Sequence, residues 1–338
     1  MTVVVGILNK RGVAIAADSA TSNNILNNNK INKEEEKEKN VVEKKVVNSG
    51  NKMLRLSDHM PIGVMIVGNA QISGIPWDII IRWYRKQLGN KTFSSVLDAA
   101  KNLLSVLEGQ DFFNEAASVY IYKYQDPTQL VFAGYGSEQQ YPQLVNIDIT
   151  GVKEGEPSIN ANGEYYSQFS IKHDIVSHCV ITDNRPSEIC YFGQNNIAAA
   201  LTDDITENTE IHQFCLDTAT IIQNKLKELS KEGFIDITDM PDHHFYHQGM
   251  LSVFMKYNED SHQQWLDAIE HYTLQEMAAL AENLINATEL YHKLMCLDES
   301  VGGLIDLAVI TREDGFQWLN RKSWYEPSKG GQYGKFGI

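Results

Sequence analysis

Two apolar runs open the chain. Thr2-Val3-Val4-Val5-Gly6-Ile7-Leu8 is β-branched and apolar, Asn9-Lys10-Arg11-Gly12 is a turn signal, and Val13-Ala14-Ile15-Ala16-Ala17 is a second run ending at Asp18. Short apolar runs joined by a four-residue turn predict a β-hairpin. Further along, Met53–Leu56 alternates as a strand, residues 57–61 make a turn, and Ile62–Gly68 reads as a buried strand. Residues 76–89 and 92–108 read as amphipathic helices, with Thr92 as an N-cap and Gly89 as a C-cap. A second hairpin is expected from Ser118–Tyr124 and Gln129–Gly134 around Asp126-Pro127, then a strand over Gln143–Ile149 ending in a turn at Gly151. Helical periodicity returns at 195–203, 207–231 and 273–295, with short elements of uncertain type over 233–272. The last expected strand is Gly303–Thr311. This block order predicts a layered α+β fold, sheet packed on sheet with helices outside.

One segment breaks the pattern. Residues 23–51 are rich in Asn, Lys and Glu, with six lysines and five glutamates between Lys30 and Lys45, and read as a solvated, partly disordered insertion. The expected organisation is a single domain over 1–319 with this insertion, an enlarged helical region around 205–295, and an extended or mobile glycine-containing tail at 320–338.

Charge narrows the function. The chain carries 29 basic and 44 acidic residues, a formal net charge of −15. Nucleic acid and anionic membrane surfaces are therefore excluded as expected partners, because both select for clustered Lys and Arg. No apolar run reaches the ~18–20 residues that span a bilayer. The start has no basic n-region and no long apolar stretch, so no secretory signal is read there. Cys179, Cys190, Cys215 and Cys296 lack metal-site spacing and read as free thiols in a reducing, cytoplasmic setting. No cofactor or metal is expected. His243-His244-Phe245-Tyr246-His247 has helical ligand spacing but no HExxH glutamate, and reads as a solvated cluster.

The feature that carries chemistry is Thr2 itself. Removal of Met1 would leave a threonine whose hydroxyl and free α-amine share one residue. A threonine hydroxyl needs a base, and an α-amine with a pKa of about 7.7–8.0 becomes one near neutral pH if a neighbouring cation lowers it further. That cation needs an acidic partner. Asp18 ends the second strand of the hairpin and lies close to the chain start. Lys52 opens the next ordered strand, which pairing could bring beside Asp18. Gly68 ends a buried strand, where its N–H can approach a developing oxyanion without a Cβ in the way.

With these pieces the sequence resembles the proteasome β-subunit family of N-terminal nucleophile (Ntn) hydrolases. The resemblance rests on Thr2-Val3-Val4-Val5-Gly6, on Gly12-Val13-Ala14-Ile15-Ala16-Ala17-Asp18-Ser19 and on Lys52-Met53-Leu54-Arg55-Leu56. It continues in Val64-Met65-Ile66-Val67-Gly68-Asn69-Ala70, Val131-Phe132-Ala133-Gly134-Tyr135 and Asp298-Glu299-Ser300-Val301-Gly302-Gly303. The Thr-to-Asp separation of 16 residues also matches. The resemblance implies a four-layer αββα sandwich and a threonine-type peptidase. In it Thr2 is the nucleophile and its amine the base, Lys52 the activator and Asp18 its partner, Asp298 a second acidic support, and the Gly68 N–H the oxyanion donor. Thr21 and Ser22 would align an extended peptide, and Ile66 would line the first specificity pocket. A homo-oligomeric ring, a peptide or protein substrate and an ATPase partner are implied in the same way. Two departures stand out: Gln194 and Val301 occupy positions where the family carries serine. They favour one alternative, a catalytically inactive ring or scaffold subunit; a small-molecule amidohydrolase of the same fold is the other alternative.

Overall fold

In the computed structural model of the chain, residues 2–26, 42–47, 51–120, 127–159, 165–194, 209–232, 243–295 and 301–321 are described. The opening hairpin forms as its apolar runs require. Strand β1 (Val3–Asn9) pairs antiparallel with β2 (Gly12–Ala17), and every residue of both is buried. Strands so apolar on both faces need cover on both sides. The sheet they centre is completed by β12 (Ser187–Gly193), β13 (Asp306–Thr311) and β14 (Gly315–Asn320), in the order β12-β1-β2-β13-β14.

A second five-stranded sheet has the order β11-β10-β9-β6-β5. Its strands are β5 (Met53–Arg55), β6 (Ile62–Gly68), β9 (Thr128–Gly134), β10 (Gln143–Ile159) and β11 (Tyr165–Val180). Short two-stranded pairs join β3 (Thr21–Leu26) to β4 (Val42–Val47) and β7 (Gln71–Ile72) to β8 (Ile75–Pro76). The two large sheets share an apolar cluster that includes Val4, Leu8 and Ile15 from one and Met65, Val131 and Leu144 from the other. Each such side chain taken fully out of water stabilises by roughly 1.5–3 kcal/mol.

Helices α1 (Trp77–Leu88), α2 (Val96–Glu108) and α3 (Asp111–Tyr120) contribute Trp77, Leu103 and Phe113 to a cluster with Val64, Leu130 and Ile147 of the second sheet. On the first sheet, Met277, Ala281 and Ile285 of α6 (Leu274–Leu294) and Ile269 of α5 (His243–His271) pack with Val3, Val5 and Ala14. Helix α4 (Thr209–Lys231) packs along α5. Asn9, at the end of β1, donates its side-chain amide to the carbonyls of Ile269 (2.9 Å) and Tyr272 (3.0 Å), so the end of α5 is capped by the sheet.

The α+β class holds, and several elements are corrected. Ser118–Tyr120, expected in a strand, are the last turn of α3. Phe113 and Ala117, four apart, are both fully buried against the sheet, and that helical spacing decides the element; residues 121–124 lie outside the described residues. Helix α2 starts later than Thr92 suggested, because Ser95 Oγ accepts the Asp98 N–H at 3.1 Å and caps it. Strand β10 runs on through Gly151, where the register with β11 shifts, instead of turning. The backbone of 21–26 and 42–47 is a ladder where a solvated insertion was expected. Residues 243–271, expected as short elements, are one 29-residue helix. The helix expected at 195–203 and the tail 322–338 lie outside the described residues.

Candidate active site

The end of β2 returns to the start of β1, so Asp18 comes back beside Val3. The two exchange hydrogen bonds: Asp18 N–H donates to the Val3 carbonyl (3.2 Å), and Val3 N–H donates to Asp18 Oδ1 (3.0 Å). The other carboxylate oxygen, Oδ2, accepts the N–H groups of Ala20 and Gly302, each at 3.2 Å. Lys52 completes the shell, with its Nζ 2.7 Å from Asp18 Oδ1. Asp18 is fully buried and the Lys52 side chain is 8% exposed. A carboxylate holding three amide donors and one ammonium is fixed in place.

The route of Lys52 into this shell follows from the second sheet. Met53 pairs with Met65 in the β5–β6 register, and the Lys52 carbonyl accepts the Ile66 N–H at 2.8 Å. The backbone at Lys52 therefore belongs to the second sheet while its side chain reaches an aspartate of the first. Because Lys52 Nζ and the Val3 N–H bind the same oxygen, the ammonium sits two hydrogen bonds from the Thr2–Val3 peptide.

Thr2 is buried and held from the other side. Its carbonyl accepts the Gln194 N–H at 2.8 Å. Gly193, just before, has φ +83°, and a Cβ there would fall 1.9 Å from the Thr2 carbonyl oxygen, so only glycine fits. Val67 Cγ1 would be 3.1 Å from the same Cβ, which places the end of β6 against Thr2 and Gly193. Gly68 follows Val67, has φ +83°, is exposed, and packs so closely on Pro127 that a Cβ would meet its carbonyl oxygen at 2.5 Å.

The remaining expected residues are placed as follows. Ile66 is 4% exposed and packs in the helix-facing cluster with Trp77 and Ile80, which leaves it little surface for a ligand. The backbones of Thr21 and Ser22 pair with Val47 and Val46, and their side chains are outside the described residues. Met1 and Asp298 also lie outside them. Val301 is buried in the apolar cluster under α6. Sequence reasoning did not single out Ala20, Gly193 or Gly302 as backbone partners. The Gly302-Gly303 doublet and the isolated Gly193 were the available signals. Among the described residues no group of three or more His, Cys, Asp or Glu is placed to hold a metal, and no helix is long and apolar enough to cross a membrane.

No family model and no curated protein matches the sequence. Among solved structures, the chain is similar to Anbu from Hyphomicrobium sp. strain MC1, at 14% identity and a TM-score of 0.40 over 95% of this chain and 86% of that one. A mutant of that protein gives 14%, 0.41 and the same coverage. Anbu (ancestral beta-subunit) from Yersinia bercovieri gives 10% identity and 0.41, over 94% and 86%. These findings correct the family assignment: membership in the proteasome β-subunit family gives way to a distant likeness to Anbu. The motifs behind the assignment are short, and most are apolar strand runs that any buried sheet requires. The chemistry of the site therefore has to be read from its own residues.

Proposed function

We propose that the chain, once Met1 is removed, is an amide hydrolase with Thr2 as its nucleophile and the Thr2 α-amine as its base. The observation that carries this reading is the Asp18 carboxylate, which ties a buried Lys52 ammonium to the backbone beside Thr2. A fixed cation there lowers the amine pKa, since like charges disfavour one another. The Thr2 Oγ1 attacks the carbonyl carbon and its proton passes to the amine. The Gly68 N–H stabilises the oxyanion, the leaving amine takes the proton, and an ester to Thr2 remains. Water, deprotonated by the same amine, then hydrolyses the ester and restores the hydroxyl. Asp298 belongs to this proposal as a second acidic support, with Thr21 and Ser22 as peptide-binding positions; the burial of Ile66 removes it from that set.

The same reading takes the chain as one domain layered helices–sheet–sheet–helices, an αββα sandwich. It takes peptides as substrates and a closed homo-oligomeric ring fed by an ATPase as the working assembly, in the cytoplasm. One observation favours a scaffold without catalysis: Val301 puts an apolar side chain into the core where a hydroxyl near the amine was expected. Intact-mass spectrometry and fluorogenic peptides separate the two. The catalytic reading requires Met1 to be absent and Thr2→Ala to slow cleavage by about 10³-fold or more. Retained Met1, or equal rates for wild type and variant, overturns it.

A further inference from the structure

Two cysteines meet across the gap between the large sheets, away from the Asp18–Lys52 pair. Cys190 lies on β12 opposite Gly6 of β1. Cys179 lies on β11 opposite Leu144 of β10. Gly6 and Leu144 are themselves in contact between the sheets, since a Cβ at Gly6 would come within 2.7 Å of Leu144 Cδ1. The missing side chain lets the sheets approach, and the two cysteines flank that approach. Cys179 is buried in the inter-sheet cluster, and half-buried Cys190 packs against the same cluster. Both are free thiols.

Their surroundings make them unequal. The Cys190 thiol and the Cys179 sulfur share a hydrogen bond, which, with burial, pushes the Cys190 thiol well above its ordinary value. Arg185 is electrostatically coupled to both sulfurs and paired with Glu188. A guanidinium beside a thiol favours the thiolate, and Arg185 lies beside both sulfurs while Cys190 holds its proton.

We propose that Cys179 and Cys190 form a redox-active dithiol that closes to an inter-sheet disulfide when the protein meets a peroxide. The Cys179 sulfur, as its thiolate, attacks a peroxide oxygen, the O–O bond breaks, a sulfenic acid forms, and the departing hydroxide takes up the proton the thiol gave off and leaves as water. The Cys190 sulfur then attacks the sulfenic sulfur, the S–S bond forms, and a second water leaves with the Cys190 proton. Two thiols are oxidised and one peroxide is reduced to two waters. A thiol reductant reverses the change through a mixed disulfide. The bond would fasten β12, which runs on to Gly193 and Gln194 beside Thr2, to the second sheet.

Peptide mapping tests this on the full chain and needs no assumption about catalysis. After stoichiometric hydrogen peroxide and alkylation, the expected product is a Cys179–Cys190 linked peptide, with the loss of two alkylatable thiols and full recovery in dithiothreitol. The oxidised chain melts a few degrees higher. Cys190→Ser, which keeps the size and the hydrogen-bonding group, removes the linked peptide and leaves a sulfenic acid at Cys179. Sulfinic or sulfonic acid at either position without the link, a link to Cys215 or Cys296 instead, or two unreacted thiols overturns the proposal.

Discussion

Among the described residues, two Lys–Asp pairs of similar length stand in opposite surroundings. Lys52 and Asp18 are 2.7 Å apart, with side chains 8% and 0% exposed; Lys10 and Asp183 are 3.0 Å apart, with 36% and 79% exposed. The outer pair is bathed in water and shared with Tyr141, whose hydroxyl donates to Asp183 at 3.0 Å. Water and salt screen it, and it orders little. The inner pair gives up hydration on both partners, and Asp18 regains it through fixed donors. The difference teaches that distance alone says little about what an ion pair does. The donors around Asp18 come from residues 3, 20, 52 and 302, so the buried pair fastens four remote stretches of sequence at one point.

The sharpest way to break this comparison is Asp18→Ala. It takes the shared carboxylate away from a buried ammonium and three amides, and urea unfolding should show a loss of about 3–5 kcal/mol. Gly193→Ala tests placement without touching a charge. Its Cβ collides with the Thr2 carbonyl oxygen in a backbone conformation that alanine resists, and the expected loss is about 2–3 kcal/mol. Lys52→Met sharpens the asymmetry within the inner pair. Asp18 keeps its three amide donors, so stability should fall by only about 1–2 kcal/mol. Peptide cleavage, on the proposed mechanism, should fall at least about 10²-fold. A stability loss equal to that of Asp18→Ala would show that the ammonium organises the site as much as the carboxylate does. Smallest of all is Lys10→Ala. The Asp183 carboxyl is held below its ordinary value, chiefly by the hydrogen bond from Lys10 and then by that from Tyr141. Its contribution is present above pH 3.8 and lost as the pH falls below that. For so exposed a pair, thermal melts at pH 7 should not distinguish variant from wild type, whereas a clear shift would overturn the contrast.

The sequence was most readable where burial is one-sided or complete. β1, β2 and β6 announce themselves as unbroken apolar runs, and α1, α2, α4 and α6 by helical periodicity. Asp18 and Lys52 were placed together because one closes a strand and the other opens the next ordered one, and in the structure they are hydrogen-bonded. β11 was not readable: it is a sheet edge, with Lys172, His173 and Asp174 exposed and only a few residues such as Phe169 and Ile171 buried. α5 was missed for a related reason. Among its described side chains only Ile269, near its end, is buried in the core, so no continuous apolar stripe marks its length. Backbone donors such as Gly302 leave no side chain to read at all.

Asn9 and Thr2 bracket β1. One end is moored by side-chain amide bonds to carbonyls at the close of α5, the other by the Gln194 amide on the Thr2 carbonyl. A strand anchored fore and aft behaves as a stiff beam and not as a dangling end. The residue at its tip has no room to recoil or swing toward an incoming molecule. Any encounter chemistry at that tip must be brought about by movement of the visitor.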